Sequence, residues 1–263
     1  MRIVSVRNLP KNVDFLARGV LEGALGGLDV DEETLRRLGC TGEASQVMIV
    51  PGDGPLIAFV GLGSVEDLDA EVVRGGVAAL MRKSLDHSHV GVDFSAAIDE
   101  GLDARDLARG AVEGVHLGSY EFSSYRSEPK VIALRRVSIT LPGRANVAEA
   151  FEMANAVGEA VSLARDFVNE PGGSLTPTQF ARRSVAMARK SGLTAKVWDA
   201  AAIRKGKLGG LIGVNRGSDN EARLLELSYD PGTKRHKTLA LVGKGITFDA
   251  VDCRSKRQSA WPL

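Results

Sequence analysis

The sequence predicts an α/β protein: a mixed or largely parallel sheet covered by helices in the first half, then a second, smaller α/β unit. Two observations support this. Short apolar runs alternate with helical periodicity through the first 145 residues, the order that builds a helix-covered sheet. One long helical pattern then runs into a loop rich in proline and glycine, where a new unit starts.

Residues 1–6, 46–50 and 56–60 read as strands. Residues 65–83 follow as an amphipathic helix, with Leu68, Val72, Val73, Val77, Leu80 and Met81 on one stripe. Residues 90–94 form a strand, and 104–117 a helix with Leu107, Ala111, Val112 and Val115 on one face. Apolar–polar alternation within 130–141 suits a strand ending at Pro142-Gly143. The long helix spans 146–167 and stops before Asn169-Glu170-Pro171-Gly172-Gly173, which no helix could cross. Thr176-Pro177 opens the next helix, to about Lys190, as a capping threonine with proline at the first helical position. Strands are expected at 195–198, 224–229 and 238–242, with a glycine-rich apolar segment at 209–214 among them.

Composition excludes several classes. With 44% hydrophobic and 25% charged residues the chain can bury a core. A net charge of +1 gives no reason to expect a nucleic-acid or anionic-membrane partner. No run approaches the roughly 18 apolar residues of a membrane-spanning helix. The N-terminus reads as a strand and not as a secretory signal, and Cys40 and Cys253 lie far apart in no metal spacing. A reducing, cytoplasmic setting is expected.

Three blocks in the second unit carry chemistry. The first is Ala164-Arg165-Asp166-Phe167-Val168-Asn169-Glu170-Pro171-Gly172-Gly173-Ser174-Leu175-Thr176-Pro177. The second is Leu208-Gly209-Gly210-Leu211-Ile212-Gly213-Val214-Asn215-Arg216-Gly217-Ser218, followed by Ala222-Arg223-Leu224. The third is Val242-Gly243-Lys244-Gly245-Ile246-Thr247-Phe248-Asp249, a strand end running into a glycine turn. In order and spacing they resemble the catalytic domain of the leucyl (cytosol) aminopeptidases. Glu113-Gly114-Val115-His116-Leu117-Gly118-Ser119-Tyr120 is similar to that family's N-terminal domain. Gly173 departs from the pattern, which usually has asparagine there.

The resemblance implies an N-terminal mixed-sheet α/β domain at 1–145, the first part of a catalytic domain at 146–249, and a tail outside the family at 250–263. It implies a metal-dependent exopeptidase that releases N-terminal residues from peptides, uses two divalent ions (manganese or zinc), and assembles as a homo-hexamer. Lys244 and Asp249 match the first two of five metal ligands. The remaining carboxylates and an assisting arginine have no counterpart here. Two dications about 3.5–4 Å apart need several carboxylates to offset their repulsion. One aspartate and one lysine, which must lose its proton to bind, are too few. The chain is therefore expected to be truncated and inactive; the alternative is a non-catalytic module working through its N-terminal domain.

The tail fits a frame slip. Restoring one nucleotide before the codon of Ala250 permits Ser-Gly-Gly-Leu-Ser-Leu-Lys after Asp249, the family continuation. Lys256 stands where the family's catalytic lysine would, by position only.

Other patterns read as structural. Gly243-Lys244-Gly245 lacks the serine or threonine and the upstream glycine of a phosphate loop. Gly61-Leu62-Gly63-Ser64 has Glu66 where a dinucleotide fingerprint needs its third glycine, so it reads as a tight turn and no nucleotide cofactor is implied. Asp86-His87-Ser88-His89 reads as a surface turn, and His116 as a core histidine.

Overall fold

The computed structural model describes residues 1–26, 28, 30–51, 54–95, 103–129, 132–141, 147–232 and 237–247. These fall into two compact units, Met1–Arg165 and Asp166–Leu263.

The first unit is built on a six-stranded sheet in the order β1-β6-β5-β2-β4-β3. Its strands are β1 (Arg2–Ser5), β2 (Phe15–Val20), β3 (Val47–Val50), β4 (Leu56–Gly61), β5 (His89–Asp93) and β6 (Arg136–Thr140). All neighbours pair parallel except β3, which runs antiparallel on β4 at one edge. The expected mixed α/β sheet is the one observed.

The helices of this unit are α1 (Glu32–Arg37), α2 (Ala70–Ser84), α3 (Ala104–Ser119) and most of α4 (Ala148–Asn169). The main core lies between one sheet face and these longer helices. Phe15, Ala17, Val90, Val92, Val137 and Ile139 of the strands meet Val73, Val77, Leu107, Val112 and Phe151 there. A second cluster on the opposite face gathers Val20 and Phe59 under Leu25, Leu35 and Cys40. Strands covered on both faces lose their polar alternation. That explains why β2, Phe15-Leu16-Ala17-Arg18-Gly19-Val20, gives no strand signal, and α1, at six residues, gives no helical one.

Element ends follow local chemistry. The helix expected from 65 starts at Ala70, because Asp69 caps it by accepting from Val72 N (2.8 Å) while Ser64–Asp67 close their own turn. The strand expected over 130–141 shortens to β6; Ala133 and Leu134 instead donate to the Leu85 carbonyl (2.8 and 3.2 Å), and Lys130 and Val131 lie outside the described residues.

Helices α2 and α3 approach unusually closely. Gly110, Gly114 and Gly118 form a stripe on α3, and a Cβ at each would lie 2.4, 2.6 and 2.4 Å from the carbonyl oxygens of Ala70, Arg74 and Ala78. The ascending numbers on both sides mean the helices run in the same direction. Arg74 also donates to Glu113 (2.7 Å from Nε) and pairs with Glu71, so charge reinforces the contact at its middle.

The second unit holds α5 (Pro177–Lys190), β7 (Thr194–Trp198), α6 (Ala200–Lys205), α7 (Gly209–Val214), a 3-10 turn (Asn215–Gly217) and β8 (Leu224–Ser228), with β7 and β8 paired antiparallel. Thr176 caps α5 through Gln179 N, with Pro177 inside the first turn as expected. The glycine-rich segment is helical. The strand expected at 238–242 is not formed: residues 237–247 have no regular structure, and Leu239, Leu241 and Val242 are 82%, 89% and 97% exposed. A strand needs a neighbour to receive its backbone groups. Among the described residues β8 bonds only β7, and no ladder reaches this segment.

Replacing Gly114 with alanine should lower the stability of the first unit by about 1–3 kcal/mol through overpacking, despite a helix-propensity gain of about 1 kcal/mol. Gly210→Ala, on a helix where an added Cβ meets nothing within 4 Å, should be neutral or stabilising. Urea unfolding followed by circular dichroism measures both; equal midpoints for the two variants would refute the packing role.

Candidate functional site

The motif that names the chemistry lies in the irregular stretch after β8. Lys244 is exposed, and among the described residues no hydrogen bond or ion pair to a carboxylate positions it. Gly245 sits against α5, where an added Cβ would come 3.7 Å from Phe180. Asp249 and Lys256, the other two candidate site residues, lie outside the described residues. Among the described residues no group of three His, Cys, Asp or Glu could hold a metal ion. The donor set on view is one exposed amine, which does not fit a two-metal centre.

The first block is the best ordered of the three. Phe167, near the end of α4, meets Phe180 of α5 edge-on with ring centroids 4.9 Å apart. The Arg183 guanidinium lies over the Phe167 ring at 4.8 Å and donates to Glu170 Oε2 at 3.2 Å. Pro171 O accepts from Ser174 and Leu175 (2.8 and 2.9 Å), which folds the loop into the cap of α5 and buries Leu175. Nothing lies within 4 Å of a Cβ at Gly173, so no steric demand keeps asparagine from that position. The second block forms α7 and the 3-10 turn. Lys207 precedes it at φ 56°, a left-handed position occupied here by a residue with a side chain.

In the first unit the metal-like residues serve the fold. His89 is not in a surface turn: it opens β5 and is buried, its Nε2 2.9 Å from Ser138 Oγ. The Asp14 carboxylate accepts from the backbone of both Ser88 (2.9 Å) and His89 (2.7 Å), fastening the β5 entrance to β2. His87 packs on Phe15 with centroids 4.7 Å apart. His116 meets Asn155 Oδ1 at 3.0 Å and fills the space a Cβ at Gly158 would need; it is hydrogen-bonded as expected, but half-buried between α3 and α4 instead of in the core. The Gly61-Leu62-Gly63 turn lies on the backbone of residues 42–46; a Cβ at Gly61 would sit 1.9 Å from Glu43 O, and Gly63 has φ 71°. Asp14 and Ser138 gave no sequence signal, because their partners are 75 and 49 residues away.

Comparison with known proteins settles the ancestry. Residues 25–129 match the N-terminal domain of the cytosol aminopeptidase family, and residues 162–258 match its catalytic domain. The chain belongs to the cytosol aminopeptidase family. The catalytic-domain match takes in Lys244, Asp249 and Lys256. A probable cytosol aminopeptidase of Rhodococcus erythropolis is 37% identical over 228 residues, covering 82% of this chain and 43% of that protein. One from Rhodococcus jostii is 36% identical over 263 residues, covering 91% and 50%. The chain thus spans about half the length of the curated relatives it matches. Among solved structures, a bottromycin maturation enzyme, BotP, in complex with Mn aligns with a TM-score of 0.73 at 32% identity, covering 84% of this chain and 46% of that one. A mutant of tomato leucine aminopeptidase aligns at 0.81 with 25% identity, covering 95% and 55%.

The buried histidine of the N-terminal unit, His89, is expected to couple the stability of that unit to pH. Burial, seconded by the Arg136 guanidinium, holds the His89 imidazole below its ordinary 6.5. Folding therefore favours the neutral ring; its contribution is complete above about pH 6.5 and is lost as pH falls below that value. Burial alone would raise the Asp14 carboxyl, but the His89 and Ser88 backbone N–H groups outweigh it and hold it below 3.8, so its contribution is lost only at lower pH. The unfolding free energy of the first unit, taken from urea titration, should fall from pH 7 to pH 5 by less than about 1.4 kcal/mol per pH unit. In His89→Gln most of that slope should vanish; an unchanged slope would assign the titration elsewhere.

Proposed function

We propose that these 263 residues carry the N-terminal domain and the opening part of the catalytic domain of a metal-dependent leucyl aminopeptidase, and that on their own they do not turn over peptides. The reading rests on three ordered blocks in the second unit combined with family matches in both halves. The boundary expected at residue 145 lies in the interval between the two family matches, whereas the two compact units divide between Arg165 and Asp166, which leaves most of α4 with the first unit. The substrates are peptides with a free N-terminus, the metals manganese or zinc, the setting cytoplasmic, and the assembly of complete relatives a hexamer. No described helix is long and apolar enough to cross a membrane.

Lys244 and Asp249 are the residues assigned to metal, and Lys256 matches the catalytic lysine by position alone. In a complete centre the two ions would supply a bound hydroxide and polarise the peptide carbonyl. The described residues do not build that centre. What this chain does around the motif is hold its approach: the α4–α5 junction is locked by Phe167, Phe180 and the Arg183–Glu170 pair. A frame slip after Asp249 accounts for the loss of the family's Ser-Gly-Gly continuation, while the catalytic-domain match itself runs on to residue 258; the nucleotide sequence beyond the Asp249 codon tests it directly.

A second reading, a binding or assembly module, is favoured by one observation. Both hydrophobic core clusters lie in the first unit, while the second buries few large side chains beyond Leu175 and Ile203.

Assayed with leucine p-nitroanilide and manganese or zinc, the purified chain should show no turnover above buffer and retain no stoichiometric metal after desalting. Turnover that disappears in Asp249→Ala would overturn the proposal and establish a working centre in this chain.

A further inference from the structure

On the sheet face opposite α2 and α3, the segment joining β1 to β2 bounds a cleft of about 710 Å³. That volume lies within the range of small-molecule sites. Across its floor Arg18 of β2, Asp93 of β5 and Thr140 of β6 stand in one register row, while their neighbours Ala17, Val92 and Ile139 point into the core. Asp93 and Thr140 end their strands, so the cleft opens at the carboxyl edge of parallel strands, where ligands of such sheets are bound. Leu9 and Val13 pack over Gly91 in the preceding row of the same face, Leu16–Gly91–Ser138, where a Cβ would meet them at 3.0–3.1 Å.

Two features of the wall point to a ligand. The first is charge. Among the described residues of the lining, Arg7, Lys11 and Arg18 accompany one carboxylate, Asp93, which is ion-paired with Arg18 and accepts from Ser95 N (2.9 Å) and Oγ (2.6 Å). Arg7 and Lys11 therefore give the described lining a surplus of positive charge. The second is an unmet hydrogen bond. Thr140 is 7% exposed, and its buried Oγ1 has no hydrogen-bond partner. Hydroxyls so placed are rare in folded proteins, because water has been removed and nothing replaces it.

We propose that this cleft binds a small molecule bearing an oxyanion, phosphate or carboxylate, on a compact apolar body. Arg7 and Lys11 meet the anion, Thr140 Oγ1 donates to it, and Leu9, Val13 and Leu16 line the space for the body. The inference rests on the first unit alone and is independent of peptidase activity.

Isothermal titration of the full chain with inorganic pyrophosphate, and separately with succinate, at constant ionic strength provides the test. Saturable binding near one per chain is expected, and the tighter of the two identifies the anion class. Exposed Arg7 and Lys11 can be changed together to glutamine without disturbing the fold, and affinity should drop about tenfold or more. Thr140→Val should weaken binding while leaving the thermal midpoint of the unliganded chain unchanged or raised, since it deletes an unpaired hydroxyl. No saturable binding of either anion, or an affinity unchanged in either variant, overturns the proposal.

Discussion

The N-terminal unit depends on how closely α3 can lie against α2. Gly110, Gly114 and Gly118 recur every four residues, so one edge of α3 has no side chains and rests on the carbonyls of Ala70, Arg74 and Ala78. With that edge flat, the larger residues of both helices, Val73, Val77, Leu107 and Val112, turn down together onto the sheet. Bulk on the stripe would lift one helix and open the core beneath it, and tightly packed interiors tolerate such voids poorly. Arg74 and Glu113 close the same interface, each about four-fifths shielded from solvent. An ion pair so placed is costly to break and fixes which turn of one helix faces which turn of the other.

What the sequence revealed follows from the range of the interactions involved. The stripes of α2 and α3, the Thr176-Pro177 start of α5 and the turn at Gly61-Leu62-Gly63 are local patterns, and each was legible. β2 was not, although it lies between β4 and β5 and is needed to join the two halves of the sheet. Buried on both faces, and carrying Arg18 and Gly19 for reasons set by Asp93 and Phe94, it shows no period of its own. The error at 238–242 has the opposite origin. Its continuous apolar run is strand-like, yet sheet formation is a property of pairs, and a good strand sequence without a paired neighbour leaves its side chains in solvent.

The candidate site shows the same division more sharply. Lys244 was found from its neighbours in sequence, and its ancestry was legible because family motifs are local strings. Whether it binds metal depends on carboxylates brought in by folding, and those were never a local property. The Asp14–His89 lock and the unpaired Thr140 were invisible for the same reason: each arises where segments remote in sequence meet.

The two units therefore carry different kinds of evidence about function. The first has core, caps and a matched helix interface, and its polar residues can be interpreted by what they touch. The second keeps the family's most specific strings on a framework that leaves Val214, Leu241 and Val242 in water. Metal sites need ligands held in place before the ion arrives, because each carboxylate or amine must give up its hydration, and an amine its proton, in return for a bond. A lysine on an uncovered, irregular segment has no such support. The motif thus identifies lineage with more authority than it identifies activity, and the part of the molecule with the firmer structural case for binding a ligand is the domain whose sequence announced no chemistry.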